Sequence, residues 1–249
     1  MHMKEHSHPS IHPAAIRQLG LAVALAASFN AAAQPVLTEG HTDVGIVYEL
    51  GAWNLHIGRH DDLPPMEYAP DEAILQVGPA SQTTVPANPL YGFLGPAGSQ
   101  VYILPQVQNP SLQFLGLGTE EQADGVFVGD RLTLSLTGVT GPGNFSMYDV
   151  GTFGTPSVLM NSGDGITAGD KVDLFAGGHR HVNWAFTAPG DYQVTFRASG
   201  ILDDGLGTFT QSDPATYTFS VVPEPGSFAL FGLGALVLLA ARSRRPAQA

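Results

Sequence analysis

The sequence contains no cysteine, and this absence excludes several kinds of chemistry. A chain of 249 residues without cysteine has no disulfide bonds, no thiolate nucleophile and no zinc site built from sulfur. Charged residues make up only 13% of the chain and hydrophobic residues 43%, which argues against intrinsic disorder. Any metal site in this chain must therefore be built from histidine and carboxylate side chains.

Basic residues are also scarce. The chain has 10 Lys and Arg residues against 22 Asp and Glu residues, which gives a formal net charge of −12. Sequence-independent binding to nucleic acid needs a basic surface that neutralises phosphates, so we expect no nucleic-acid partner.

Residues 1–33 have the organisation of a secretory signal peptide. A polar stretch containing Lys4 and Arg17 precedes a short apolar run at 19–27, and three alanines at 31–33 supply a small-residue cleavage site. The apolar run is shorter than the roughly 20 residues that span a bilayer permanently. Four of the nine histidines fall in this segment and would be removed with it. The alternative interpretation is a small N-terminal helix.

The C-terminal residues 223–249 form a second targeting segment. A Pro-Glu-Pro motif at 223–225 precedes an almost wholly apolar stretch at 227–241, which is followed by three arginines within 242–245. This three-part pattern resembles the PEP-CTERM sorting signal, and the resemblance implies processing by an exosortase-type machinery. The apolar stretch implies at least transient anchoring in the inner membrane, with a permanent anchor as the alternative. Both interpretations place residues 34–222 outside the cytoplasm, at the cell surface or in the extracellular matrix.

The body between the two segments is strongly acidic. Residues 34–222 keep five basic and 20 acidic residues, a net charge of −15. Such a surface suits cations or neutral sugars and repels anionic polymers and lipids.

The pattern of the body predicts an all-β fold. Short runs that alternate between apolar and polar residues are separated by Gly, Pro, Asp and Asn, and no sizeable helical period is present. We predict a single β-sandwich or jelly-roll-like domain, flanked by the signal peptide and by a short apolar C-terminal helix. One helical turn is expected at 71–77 and a long surface loop at 79–99. The predicted strands are 44–50, 52–57, 100–104, 112–117, 131–136, 144–148, 158–161, 171–175, 179–187, 191–198 and 215–221.

All five histidines of the body fall into two groups. In the second group, His179, His181 and Asn183 would share one face of a strand, while residues 182, 184 and 186 face the core. Two neutral imidazoles two residues apart on a strand can bind one metal ion. The alternative is a solvated polar face.

The first group combines histidines with carboxylates. It contains His41, Asp43, His56 and His60, with further acidic residues at 61, 62 and 67. These side chains are candidate ligands for the same ion, although the segment after residue 59 also has the composition of a turn. Whether the two groups meet in space is left open. A sulfur-free site rich in histidine suits Zn²⁺, or Mn²⁺ if carboxylates dominate.

An ordered series of motifs resembles a known family. The series begins with Gly-His-Thr-Asp-Val-Gly and ends with Gly-His-Arg-His-Val-Asn-Trp-Ala-Phe-Thr-Ala-Pro-Gly-Asp-Tyr; its segments lie at 40–45, 49–56, 68–73, 85–89, 104–110 and 178–192. It is similar to the choice-of-anchor M domain and to the actinobacterial surface-anchored repeat domain, over residues 39–222. The resemblance implies a surface receptor or relay, since some members accompany ABC-transporter binding proteins of the metal-uptake type. The family's His-x-His-x-Asn-Trp segment maps onto residues 179–184.

These observations favour a non-catalytic, exported surface protein that binds a metal ion or solute. The alternative is a structural or adhesive component of an extracellular polysaccharide matrix, in which Trp53, Tyr91 and Tyr102 stack on sugars. We expect no enzymatic activity, because the chain lacks the Gly-x-Ser-x-Gly and His-Glu-x-x-His motifs of two hydrolase classes. A carboxylate pair of the glycosidase kind is left open.

Overall fold

The computed structural model describes residues 33–61 and 64–224. In this part of the chain nearly all regular structure is β-strand, with two short 3₁₀ turns at Pro79–Ser81 and Pro89–Leu94. The strands are β1 Val36–Leu37, β2 Gly40–Glu49, β3 Ala52–Arg59, β4 Met66–Tyr68, β5 Ile74–Val77, β6 Gln82–Thr84, β7 Gln100–Leu104, β8 Gln113–Gly118, β9 Phe127–Thr140, β10 Phe145–Val150, β11 Pro156–Asn161, β12 Lys171–Phe175, β13 His179–His181, β14 Asn183–Phe186, β15 Gly190–Leu202, β16 Phe209–Gln211 and β17 Ala215–Val221.

The strands form three sheets. A seven-stranded sheet has the order β1-β5-β17-β15-β9-β12, with β16 paired to β15. The two five-stranded sheets have the orders β11-β10-β14-β7-β6 and β13-β8-β2-β3-β4. Strands β13 and β14 are separated only by Val182, so the chain passes directly from one five-stranded sheet to the other. This arrangement confirms the all-β class and is consistent with a sandwich.

One hydrophobic core joins the three sheets. Its largest members are aromatic, because large rings remove the most apolar area from water when they are buried. Trp184 and Phe186 of β14 pack against Phe219 of β17, with ring centroids 5.8 and 5.1 Å apart. Val182, Trp184 and Phe186 are fully buried, which confirms the predicted core face of this segment. The Trp184 indole also donates a hydrogen bond to the carbonyl of Leu115 in β8.

Two predicted local structures are wrong. Residues 71–77 do not form a helical turn; the strand Ile74–Val77 pairs in parallel with both β1 and β17. Leu75 and Val77 are fully buried and alternate with half-buried neighbours, and four residues are too few to separate this period from a helical one by pattern alone. The stretch 79–99 is not a plain surface loop, because it contributes β6 and a small core around Val85 and Leu94.

The predicted strand 179–187 is interrupted at Val182. Asn183 does not face the same site as the histidines before it. Its side-chain oxygen accepts a hydrogen bond from the Gln106 amide, and its side-chain nitrogen donates to the Tyr148 carbonyl. Buried polar groups of this kind must be hydrogen-bonded, so Asn183 fixes the point at which the chain enters the next sheet.

The predicted signal peptide and the predicted apolar segment 227–241 lie outside the described residues. Within residues 33–61 and 64–224, no helix is long and apolar enough to cross a membrane.

Replacing Trp184 by alanine tests the core. The indole is fully buried, so Trp184→Ala is expected to lower the free energy of unfolding by about 3–5 kcal/mol. Phe153 is 97% exposed and Phe153→Ala is the control, with an expected change within about 0.5 kcal/mol. Urea denaturation of the purified variants measures both values. Equal effects from the two variants would contradict this account of the core.

Candidate metal centre

One face of the β13-β8-β2-β3-β4 sheet carries the histidines of the body. The centre of this face is Asp43, which pairs with Gly116 of β8 on one side and Gly58 of β3 on the other. Gly116 pairs in turn with His181 of β13. Because side chains opposite each other across strands share a face, the glycines leave space over the sheet that imidazoles from the outer strands fill.

Gly116 is required at the floor of this site. A Cβ atom built at residue 116 would overlap Asp43 Oδ1, and it would lie 3.0 Å from His181 Cε1 and 3.1 Å from His179 Nε2. The overlap with Asp43 would force a side chain to move, and the two contacts with the imidazoles are tighter than most real Cβ contacts. The glycine therefore allows three polar side chains to converge over one point of the sheet.

Four side chains offer ligand atoms that all lie within 4.8 Å of one another: His41, Asp43, His179 and His181. His179 Nε2 lies 3.1 Å from Asp43 Oδ1 and 3.2 Å from His41 Nε2. His41 Nε2 lies 3.4 Å from Asp43 Oδ2. Tetrahedral ligands about 2.0–2.1 Å from a zinc ion are about 3.3 Å apart. The three distances among His41, Asp43 and His179 are close to that value.

Glu120 lies beside His179. Its Oε1 lies 2.9 Å from His179 Nδ1, and His179 Nε2 lies 3.1 Å from Asp43 Oδ1. The imidazole is therefore held between two carboxylates, one at each ring nitrogen. A carboxylate at the far nitrogen of a metal-binding histidine is a common feature of metal sites.

Glu120 is held in place by the turn before β13. Thr119 donates its hydroxyl to the Phe175 carbonyl at 2.6 Å and its amide to the Gly178 carbonyl at 2.8 Å. These bonds join the end of β8 to the residues immediately before His179. The carboxylate and the imidazole that it orients are therefore fixed to the same framework.

His181 is positioned by an aromatic ring. Phe114 of β8 stacks on the imidazole, with ring centroids 3.4 Å apart and an interplanar angle of 8°. Burial lowers the pKa of His181, and the nearby Asp43 charge opposes this shift. A lowered pKa keeps the imidazole neutral near pH 7, which is the form that binds a metal.

Asp43 is the most buried polar group of the site. Its side chain is 1% exposed, and His60 Nε2 lies 2.9 Å from Oδ2. Oδ2 nevertheless has no hydrogen-bond partner among the described residues. Burying a carboxylate whose charge is not fully balanced costs several kcal/mol of desolvation free energy. A cation bound at this position would offset that cost.

The structure brings most of the predicted ligands together. His41, Asp43, His179 and His181 form one group, and His60 joins Asp43 and Glu120 in an adjoining group. His56 lies in a third group with Glu67 and Glu121. Asp61 accepts a hydrogen bond from the His41 amide, and residue 62 lies outside the described residues.

Two functional candidates escaped the sequence analysis, namely Glu120 and Glu121. They follow the Gly-Leu-Gly end of β8. Glycines at 116 and 118, two residues apart on one face of a strand, indicate that other groups approach that face closely, and this was the signal that could have found them.

The comparisons with known proteins concern the C-terminal end. Residues 221–245 match the profile of the PEP-CTERM protein-sorting motif, which confirms the sorting signal expected from the sequence. This motif supports export toward the cell surface through exosortase-type sorting machinery. No curated protein and no solved structure matches the chain.

Gly116→Ala tests the packing of the site. The added methyl group must displace Asp43 or the imidazoles, so we expect a loss of about 1–3 kcal/mol in the free energy of unfolding. Gly92→Ala is the matched control, because a Cβ at residue 92 meets no atom within 4 Å; its expected effect is neutral or slightly stabilising. Thermal unfolding of both variants gives the comparison. A stable Gly116→Ala protein would contradict the described convergence.

Proposed function

We propose that this protein is a non-catalytic surface protein that binds a divalent metal ion outside the cytoplasm. The ligands are His41, Asp43, His179 and His181. The observation that carries the proposal is the convergence of three imidazoles, from β2 and β13, around the buried Asp43 carboxylate. Three nitrogens and one oxygen suit Zn²⁺.

The charge of the site supports the proposal. With neutral histidines, Asp43 and Glu120 give the group a formal charge of −2, which one divalent ion balances. Asp43 contacts His41, His60 and His179, so a bound ion would share this carboxylate with the imidazoles around it.

The export signal gives the site a role. A protein sorted toward the surface can capture an ion before transport. The motifs that resemble the choice-of-anchor M domain, including the His-x-His segment, add support for a surface receptor or relay, and a binding protein of an ABC transporter is a partner that this resemblance implies.

A second candidate function is a component of an extracellular polysaccharide matrix. An open groove of about 980 Å³ is lined by Trp53 and Tyr68 together with polar side chains such as Gln211 and Asp213. Aromatic and polar surfaces of this kind suit sugars. Tyr102 cannot take part as the sequence suggested, because it is 1% exposed.

The double variant His179→Ala/His181→Ala tests the metal proposal. Removal of two of four ligands is expected to lower zinc affinity at least 100-fold, as measured by isothermal titration calorimetry on the full chain. Arg180→Gln is the control on the same strand, since Arg180 pairs with Asp149 and not with the metal group. Unchanged zinc binding in the double variant would rule out the proposed ligands.

The groove is tested with Trp53→Ala. If the protein is a matrix component, the wild type is retained on purified extracellular polysaccharide. Trp53→Ala is not retained, because the sugar rings lose their stacking partner. Elution of both proteins with the unbound fraction would exclude this second function. The His179→Ala/His181→Ala variant should bind like the wild type in the same assay.

A further inference from the structure

A small polar cavity adjoins the four-ligand group. It has a volume of about 20 Å³, enough for one water molecule or one ion. Its charged and titratable lining side chains are Asp43, His56, His60, Glu120 and Glu121. The cavity therefore shares Asp43 with the first group and extends across the sheet toward β3.

Glycines create this cavity. The floor contains Gly45, Gly58 and Gly118. A Cβ atom at residue 45 would overlap the His56 ring, and one at residue 58 would lie 3.2 Å from His60 Nε2. A Cβ at residue 118 would lie 3.1 Å from Glu120 Oε2. Any larger residue at these positions would push the polar side chains away from the cavity.

Two buried side chains line the cavity. Asp43 is 1% exposed and His56 is 7% exposed. Asp43 Oδ2 and His56 Nδ1 both lack a hydrogen bond among the described residues, although Oδ2 lies 2.9 Å from His60 Nε2. Since buried polar groups are normally hydrogen-bonded, these two side chains have capacity left to bind a ligand.

We propose that the site is binuclear, with a second divalent ion in this cavity and Asp43 as the bridging carboxylate. The inference rests on the proposed function, because the first ion occupies the His41, His179 and His181 side of Asp43. Its Oδ1 lies 3.1 Å from His179 Nε2, while Oδ2 lies 2.9 Å from His60 Nε2 and 3.4 Å from His41 Nε2. A carboxylate that contacts both groups of ligands can join two ions about 3.5–4 Å apart.

The second position has harder ligands than the first. Asp43, His60 and Glu120 offer atoms within 4.8 Å of one another, and His56 and Glu121 line the same cavity. Mixed carboxylate and imidazole donors suit Mn²⁺ better than the three-histidine group does. The two positions therefore favour different metals.

Metal stoichiometry tests the inference. The purified full chain is loaded with Mn²⁺ or Zn²⁺, freed of excess metal, and its metal content is measured by plasma mass spectrometry. We expect two ions per chain in the wild type, and electron paramagnetic resonance of the manganese form should show a coupled pair. His60→Gln and Gly58→Ala are each expected to keep one ion, with an uncoupled manganese spectrum.

The outcomes separate the two proposals. One ion in the wild type would overturn the binuclear site and leave the proposed function intact, whereas no ion would overturn both. Two ions in both His60→Gln and Gly58→Ala would place the second ion elsewhere and also overturn the inference. Gly92→Ala serves as the control and should retain two ions. Gly58→Ala tests the cavity. His60→Gln changes an exposed side chain and tests the same cavity independently if the glycine variant fails to fold.

Discussion

The buried Asp43 carboxylate is the constraint on which the site depends. It lies in β2 between two glycines of the neighbouring strands. The imidazoles of His41 in β2, of His179 in β13 and of His60, which directly follows β3, lie within 3.4 Å of its oxygens. A negative charge enclosed in this way is costly unless cationic partners surround it, and this cost is the physical basis of the proposed metal binding.

The sandwich supplies what the site needs. The opposite face of the same sheet contributes Val44, Ile57 and Leu115 to the core, so the strands that carry the histidines are held by packing. The chain has no disulfide to stabilise it outside the cytoplasm, and aromatic packing around Trp184 performs that task. The passage from β13 to β14 links the site to the core, since one short segment carries two of the proposed ligands and then continues into the buried strand.

The alternation of apolar and polar residues was sufficient to predict the class, and β7, β12 and β17 have the predicted bounds. The same alternation failed at β5, because four residues are too few to distinguish a strand period from a helical one. It also failed at Val182, because the chain changes sheet there without any local sequence signal. The spacing of His179 and His181 predicted their common orientation. It did not predict Glu120, because the contact with His179 depends on the register of β8 against β13, a non-local pairing that one sequence does not reveal.

Anomalous X-ray diffraction at the zinc absorption edge, from crystals of the zinc-loaded protein, tests the central claim most directly. The account predicts a peak about 2.0–2.2 Å from ligand atoms of His41, Asp43, His179 and His181. No peak at this position, with zinc present elsewhere or absent, would show that the buried carboxylate and its imidazoles are a hydrogen-bonded polar network and not a metal centre.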